Sequence, residues 1–184
     1  KAYWIVKQLQ SVARQQEKPW MLSELYGCMG WNTDLLDHKR LGDWQALFGI
    51  NVRCHHLSWF TMAGEAKRDY PASISFQSSW WREYNQVETY FSRLQAVLQA
   101  GRPVCDVLVI SPVESLWAQI SSGWADWFTP ATAEVKRLEK QYEQLFHWLQ
   151  GNRIDFDYAD EDHLQRYGFL DMDRGETTLR LGKM

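Results

Sequence analysis

No stretch of this 184-residue chain approaches the roughly 20 consecutive apolar residues that a membrane helix needs, and no signal-peptide pattern opens it. No membrane partner is expected, and the cytoplasm is the expected location. Charge of one sign is also missing: 20 Lys and Arg stand against 23 Asp and Glu, a formal net charge of -3. No basic arm or acidic tail forms, so nothing draws the chain toward nucleic acid or anionic lipid. Cysteine is scarce. Cys28, Cys54 and Cys105 are odd in number and widely spaced, which supports neither a disulfide framework nor a zinc motif, and they read as buried free thiols. No metal site and no cofactor are expected. There are no repeats and no low-complexity tracts.

What the chain has in excess is tryptophan, eleven residues, against the one or two per hundred that are usual. Several indoles, among them Trp31, Trp59, Trp80, Trp81, Trp124 and Trp127, sit beside turn and polar residues and outside the periodic apolar stripes. An indole offers a flat apolar face and one N–H donor. Such faces either stack on sugar rings or pack at domain and subunit contacts. The second reading suits Trp124 and Trp127 and leaves a homo-oligomer open.

The pattern along the chain alternates helices with short strands. Trp4, Ile5, Leu9, Val12 and Ala13 predict a helix over 2–16 with those side chains on its buried face. Asp34 caps a second helix that Gly49 stops, and a strand follows at 51–57. The long segment 58–79, with its Glu65-Ala66-Lys67-Arg68-Asp69-Tyr70 cluster, has the length of a functional loop. A helix over 80–100 ends at Gly101-Arg102-Pro103, a natural boundary. The pattern then restarts with a strand at 104–110, a helix from Thr129-Pro130 to about 150, a strand at 154–158, a short helix at 160–167 and a last strand at 177–181. Fold class α/β follows, with domains at 1–100 and 101–184. The second has the doubly wound pattern. The chain opens mid-helix at Lys1 and stops without a closing element, so a piece of a longer protein is expected.

The stretch Pro19-Trp20-Met21-Leu22-Ser23-Glu24 reads as a buried parallel strand that ends in a carboxylate and breaks into a loop with two glycines and Trp31. An acid at the carboxyl end of such a strand is either a catalytic group in a cleft or a structural acid paired with an arginine.

Ser23-Glu24-Leu25-Tyr26-Gly27-Cys28-Met29-Gly30-Trp31, with Gly42-Asp43-Trp44-Gln45, Gly49-Ile50-Asn51, His56-Leu57-Ser58, Lys67-Arg68-Asp69-Tyr70-Pro71 and Trp80-Trp81, resembles large bacterial glycoside hydrolases of the α-L-rhamnosidase-like type. The resemblance covers nearly the whole chain and lies in the ordered set of motifs. It implies the C-terminal part of a (β/α)8 barrel over 1–100, followed by the first part of a flavodoxin-like domain over 101–184. The strand ending at Glu24 would be the seventh of the barrel and 51–57 the eighth. Carbohydrate is then the expected partner, Glu24 one member of a catalytic carboxylate pair, and the other member expected upstream of Lys1.

His55 and His56, adjacent on a strand, leave opposite faces and cannot share a metal ion. The resemblance selects His56 as a substrate hydrogen-bonding residue, with a structural histidine as the alternative. Trp31 and Trp59 would stack on sugar. Arg68 and Asp69 either bind sugar hydroxyls or belong to a solvated charge cluster. The rival to a hydrolase is a non-catalytic carbohydrate-binding or assembly module on the same scaffold. A nucleotide-binding or amidotransferase-like role for the later domain is disfavoured: Ser111-Pro112-Val113-Glu114-Ser115 is no phosphate cradle, and no cysteine sits in a nucleophile turn.

Overall fold

The computed structural model describes residues 2–65, 74–119, 132–173 and 176–181, and they form a mixed α/β protein of helices and small sheets. Among the described residues no helix is long and apolar enough to cross a membrane. The chain divides into two compact units, residues 19–103 and residues 1–18 with 104–184. The first helix therefore groups with the later residues and not with the strand it precedes.

In the unit 19–103, strand β1 (Leu22–Leu25) and strand β2 (Val52–His55) pair in parallel, Leu22 opposite Val52 and Leu25 opposite His55. Helix α2 (Leu35–Leu47) joins them. Its start is specified locally: the Asp34 carboxylate accepts from the Asp37 backbone N–H, and the Asp37 side chain accepts from that of Asp34. Its end is specified by Gly49, whose φ of 90° an L side chain rarely adopts. Asn51 ties the two strand starts together, accepting from the Met21 N–H at 2.8 Å and donating to the Pro19 carbonyl at 2.7 Å.

A 3-10 turn at Trp81–Glu83 leads into α3 (Asn85–Leu98), so the expected single helix over 80–100 is broken near its start. Ala46, Ile74, Tyr84, Val87 and Phe91 form the core between α2 and α3. The helices approach closely at Gly42, where a Cβ would run into the Phe91 ring. Burying a side chain of this size contributes about 1.5–3 kcal/mol, and Phe91 is 2% exposed.

In the unit of 1–18 and 104–184, strand β3 (Leu108–Ser111) pairs in parallel with β4 (Asp157–Asp160). Between them lie α4 (Val113–Trp117) and α5 (Ala133–Gly151), the latter capped by the Thr132 hydroxyl accepting from the Val135 N–H at 3.2 Å. The expected helix start at Thr129-Pro130 lies outside the described residues. After β4, Asp160 caps α6 (Glu161–Tyr167), and the chain ends in an antiparallel hairpin of β5 (Gly168–Asp173) and β6 (Glu176–Leu181).

Helix α1 (Ala2–Gln15) lies against β4 with a face that overlaps the predicted one only at Ala13, which is buried, and Trp4, which is half-buried. Ile5, Leu9 and Val12 are 58%, 42% and 56% exposed, whereas Lys7, Gln10, Ser11 and Gln15 are buried. The reason is the outer edge of β4, whose backbone groups point away from β3 and need partners. Ser11 Oγ accepts the Tyr158 N–H at 2.9 Å, and Gln15 Nε2 donates to the Tyr158 carbonyl at 2.7 Å. Lys7 Nζ stands 2.7 Å from Asp155 and 3.6 Å from Asp157, and Arg14 reaches both carboxylates. Burial alone would raise the Asp155 pKa, yet hydrogen bonds and charge from Lys7 and Arg14 bring it below the usual range.

Candidate functional site

Side chains on a strand alternate between faces, and the parallel register puts paired residues on the same side. Ser23, Leu25, Arg53 and His55 face the helices: Leu25 is 2% exposed, the Arg53 guanidinium lies 4.0 Å from the Phe91 ring centroid, and His55 meets Tyr84. Leu22, Glu24, Val52 and Cys54 therefore occupy the other face. Leu22 is 57% exposed, the Glu24 side chain 61%, and Cys54 is exposed. A strand buried on both sides was expected; in this unit β1 is covered on one side only. The expectation of buried thiols fails for the same reason at Cys54 and for a loop position at Cys28, also exposed, while Cys105 is half-buried.

Glu24 and Cys54 are register partners, and the chain beyond β2 brings a third group to them. The His56 N–H donates to the Leu25 carbonyl at 2.8 Å, which carries the ladder one residue further. His56 Nε2 lies 4.0 Å from Glu24 Oε1. The imidazole rests against Gly27, where an added Cβ would come within 3.2 Å of Nδ1, a tight contact that the ring would have to shift to relieve. The loop turns sharply through Tyr26 and Cys28, both at positive φ, and carries Trp31, which is 46% exposed.

Trp59 lies in the segment after β2. It is half-buried, and its indole N–H is buried with no hydrogen-bond acceptor among the described residues. Arg68 and Asp69 lie outside the described residues, as do Lys67, Trp124 and Trp127. Trp80 is structural, its N–H donating to the Thr33 carbonyl at 2.9 Å and its ring lying against His38 and Tyr84.

Behind the sheet a network of polar and aromatic side chains braces these strand ends. Arg53 donates to Tyr26 Oη at 3.1 Å and to Glu88 at 2.6 Å, and Tyr26 Oη donates to the His38 carbonyl at 3.2 Å. Tyr84 Oη stands 2.7 Å from His55 Nε2 and 3.0 Å from His38 Nδ1. Burial, with the Arg53 charge beside it, lowers the His55 pKa to about 4, so the ring is neutral at pH 7. Burial pushes the Tyr26 and Tyr84 hydroxyls up, so both remain protonated donors. The brace holds Tyr26 two residues beyond Glu24 and His55 one residue before His56.

Sequence patterns alone did not single out Cys54, Arg53, Tyr26, His38, Tyr84 or Glu88. For Cys54 a signal existed, since it lies two residues before His56 and strand alternation puts both on one face. For the others the contacts join residues 12 to 46 positions apart and no local spacing marks them.

Among the described residues no group of three or more His, Cys, Asp and Glu side chains could hold a metal ion. The chemistry on the uncovered face is that of one exposed carboxylate beside an imidazole and a thiol. The class these observations define is a mixed α/β protein with such a carboxylate near the carboxyl end of a parallel strand pair. Compared with family models, curated proteins and solved structures, the chain matches none of them.

Proposed function

We propose that this chain carries part of the active site of a glycoside hydrolase, of the α-L-rhamnosidase-like type, in which Glu24 is one of two catalytic carboxylates. The observation that supports this most is the placement of Glu24: near the end of β1, on the face turned away from the helices, 4.0 Å from His56. A structural acid would be turned into the helix layer, where Arg53 already pairs with Glu88. In parallel α/β folds the carboxyl ends of strands are where reacting groups gather. In this reading the unit 19–103 is the closing part of a (β/α)8 barrel, with β1 and β2 as its seventh and eighth strands, and residues 104–184 contribute a flavodoxin-like domain.

Glycoside hydrolysis requires a carboxylate that either removes a proton from water or attacks the anomeric carbon, with a second carboxyl group protonating the leaving oxygen. Glu24 supplies the first group. In this reading His56, 4.0 Å from Glu24, hydrogen-bonds a sugar hydroxyl, and Trp31, 46% exposed, stacks on the sugar. Separation from the second carboxyl group sets the outcome, roughly 6.5–9.5 Å for inversion and about 5–5.5 Å for retention. The reading is tested by assaying aryl glycosides with the intact protein and its Glu24→Gln variant.

A second reading is supported by Trp31 and Trp59, one 46% exposed and the other half-buried. On it the same face binds carbohydrate without cleaving it. Sugar binding without turnover, unchanged by Glu24→Gln, would select this alternative.

A further inference from the structure

The unit of 1–18 and 104–184 contains a cavity that the hydrolase reading does not use. It lies where β3 ends, between α1, α4 and α5, and has a volume of about 240 Å³. Trp4, Pro112, Val113, Leu116 and Leu138 give it an apolar wall, and the Tyr142 ring, 5.8 Å from that of Trp4 between centroids and tilted by 57°, completes it. The carboxyl end of a parallel strand is where open α/β sheets take their ligands. The size is below the roughly 300 Å³ of a drug-sized pocket and suits one ring or a fused pair.

Polar groups along the wall are few and connected. Gln8 Nε2 donates to Tyr142 Oη at 3.1 Å, and Tyr142 Oη lies 2.8 Å from Ser111 Oγ. Two hydroxyls sharing one hydrogen bond use one of their two hydrogens. When Tyr142, which also hydrogen-bonds Tyr158, donates to Ser111, the Ser111 hydroxyl hydrogen is left for an acceptor on a ligand. The Glu139 carboxylate on the wall disfavours an anion. A sugar is excluded by arithmetic, since its several hydroxyls would meet mostly carbon.

We propose that this cavity binds a small neutral aromatic ring carrying one hydrogen-bonding oxygen, a phenol-type ligand stacked against Trp4 and Tyr142 with its oxygen at Ser111. The proposal does not rest on the hydrolase reading, because every residue it uses lies in the other unit.

The probe is 4-methylphenol, titrated into the full chain and followed by saturation-transfer NMR, with glucose as comparator. Saturable binding of 4-methylphenol and none of glucose is the expected result. Leu116→Trp fills the cavity from α4 and weakens binding by about tenfold or more, whereas Ser111→Ala, which removes one hydrogen bond, weakens it about three- to tenfold. Circular dichroism verifies the fold of each variant, and Val113→Phe replaces Leu116→Trp if the latter does not fold. Absence of saturable binding, equal binding of glucose, or affinity untouched by the filling variant overturns the proposal.

Discussion

His55 Nε2 lies 2.7 Å from the hydroxyl of Tyr84, so a strand residue and a residue at the start of α3 share one hydrogen bond inside the helix-facing layer. The imidazole is held neutral there, its pKa lowered to about 4 by burial, by Arg53 and by His38, against the opposing pull of Glu88. Because the folded value lies below the unfolded value of about 6.5, the unfolded chain binds the proton first as pH falls. Stability from this residue is complete above pH ~6.5 and is lost as pH falls toward 4, amounting to about 2–3 kcal/mol. Urea unfolding at pH 7 and pH 4 should show a smaller loss for His55→Gln, which keeps a hydrogen-bonding group but does not titrate. Equal losses in the two proteins would place the acid sensitivity elsewhere.

Gly42 is a packing glycine in the middle of α2. Alanine there would gain up to about 1 kcal/mol of helix propensity, but its methyl group meets the Phe91 ring. Overpacking should win, and Gly42→Ala should destabilise the protein by about 1–3 kcal/mol. Phe91→Leu in the same chain should recover part of that loss, since the two sites are in contact. Simple additivity in thermal unfolding would show that the helices part without strain.

Lys7 is fully buried between Asp155 and Asp157. Lys7→Met removes one cation of a balanced group of four charges and leaves Arg14 to serve both acids. The expected loss is about 3 kcal/mol, and adding Asp157→Asn should restore much of it, because the penalty comes from the uncompensated carboxylate. Denaturant titration of the two variants checks this; no recovery in the double variant would make the lysine's packing, and not its charge, the source.

How much of this was legible depended on the range of the interaction. Helix α2 could be placed from Asp34 and Gly49 because its cap and its stop lie within a few residues of the ends they define. Helix α1 was legible as a helix, but its inward face only at Trp4 and Ala13: Ile5, Leu9 and Val12 of the apolar stripe are exposed, while Ser11 and Gln15 are drawn inward by the backbone of Tyr158, over 140 residues away. A strand was expected at 104–110, yet β3 covers Leu108–Ser111, because its register is set by pairing with β4. Strand β5 was missed, since its apolar residues pair only with β6. In the site, Glu24 could be named from its position beside a turn, while strand alternation put His55 and His56 on opposite faces and the resemblance chose His56. The β1–β2 register showed that Cys54 stands opposite Glu24, and Arg53 became visible only when Glu88 was folded beside it.

Trp31 and Trp59 are expected to contribute to carbohydrate binding by stacking. Replacing either with alanine should weaken glycoside binding in the intact protein by about 1–3 kcal/mol, read by calorimetric titration. Unchanged affinity in both variants would remove the indoles from the site.

Glu24 decides the hydrolase reading, and the direct test is single-residue kinetics. In the intact protein, Glu24→Gln preserves the shape of the side chain but can neither accept a proton nor form a glycosyl ester, so kcat on an aryl glycoside should fall by at least about 10²–10⁴-fold, with thermal stability and sugar binding retained. An unchanged kcat per folded molecule would contradict a catalytic role for Glu24, and with it the assignment of this face as a hydrolytic site.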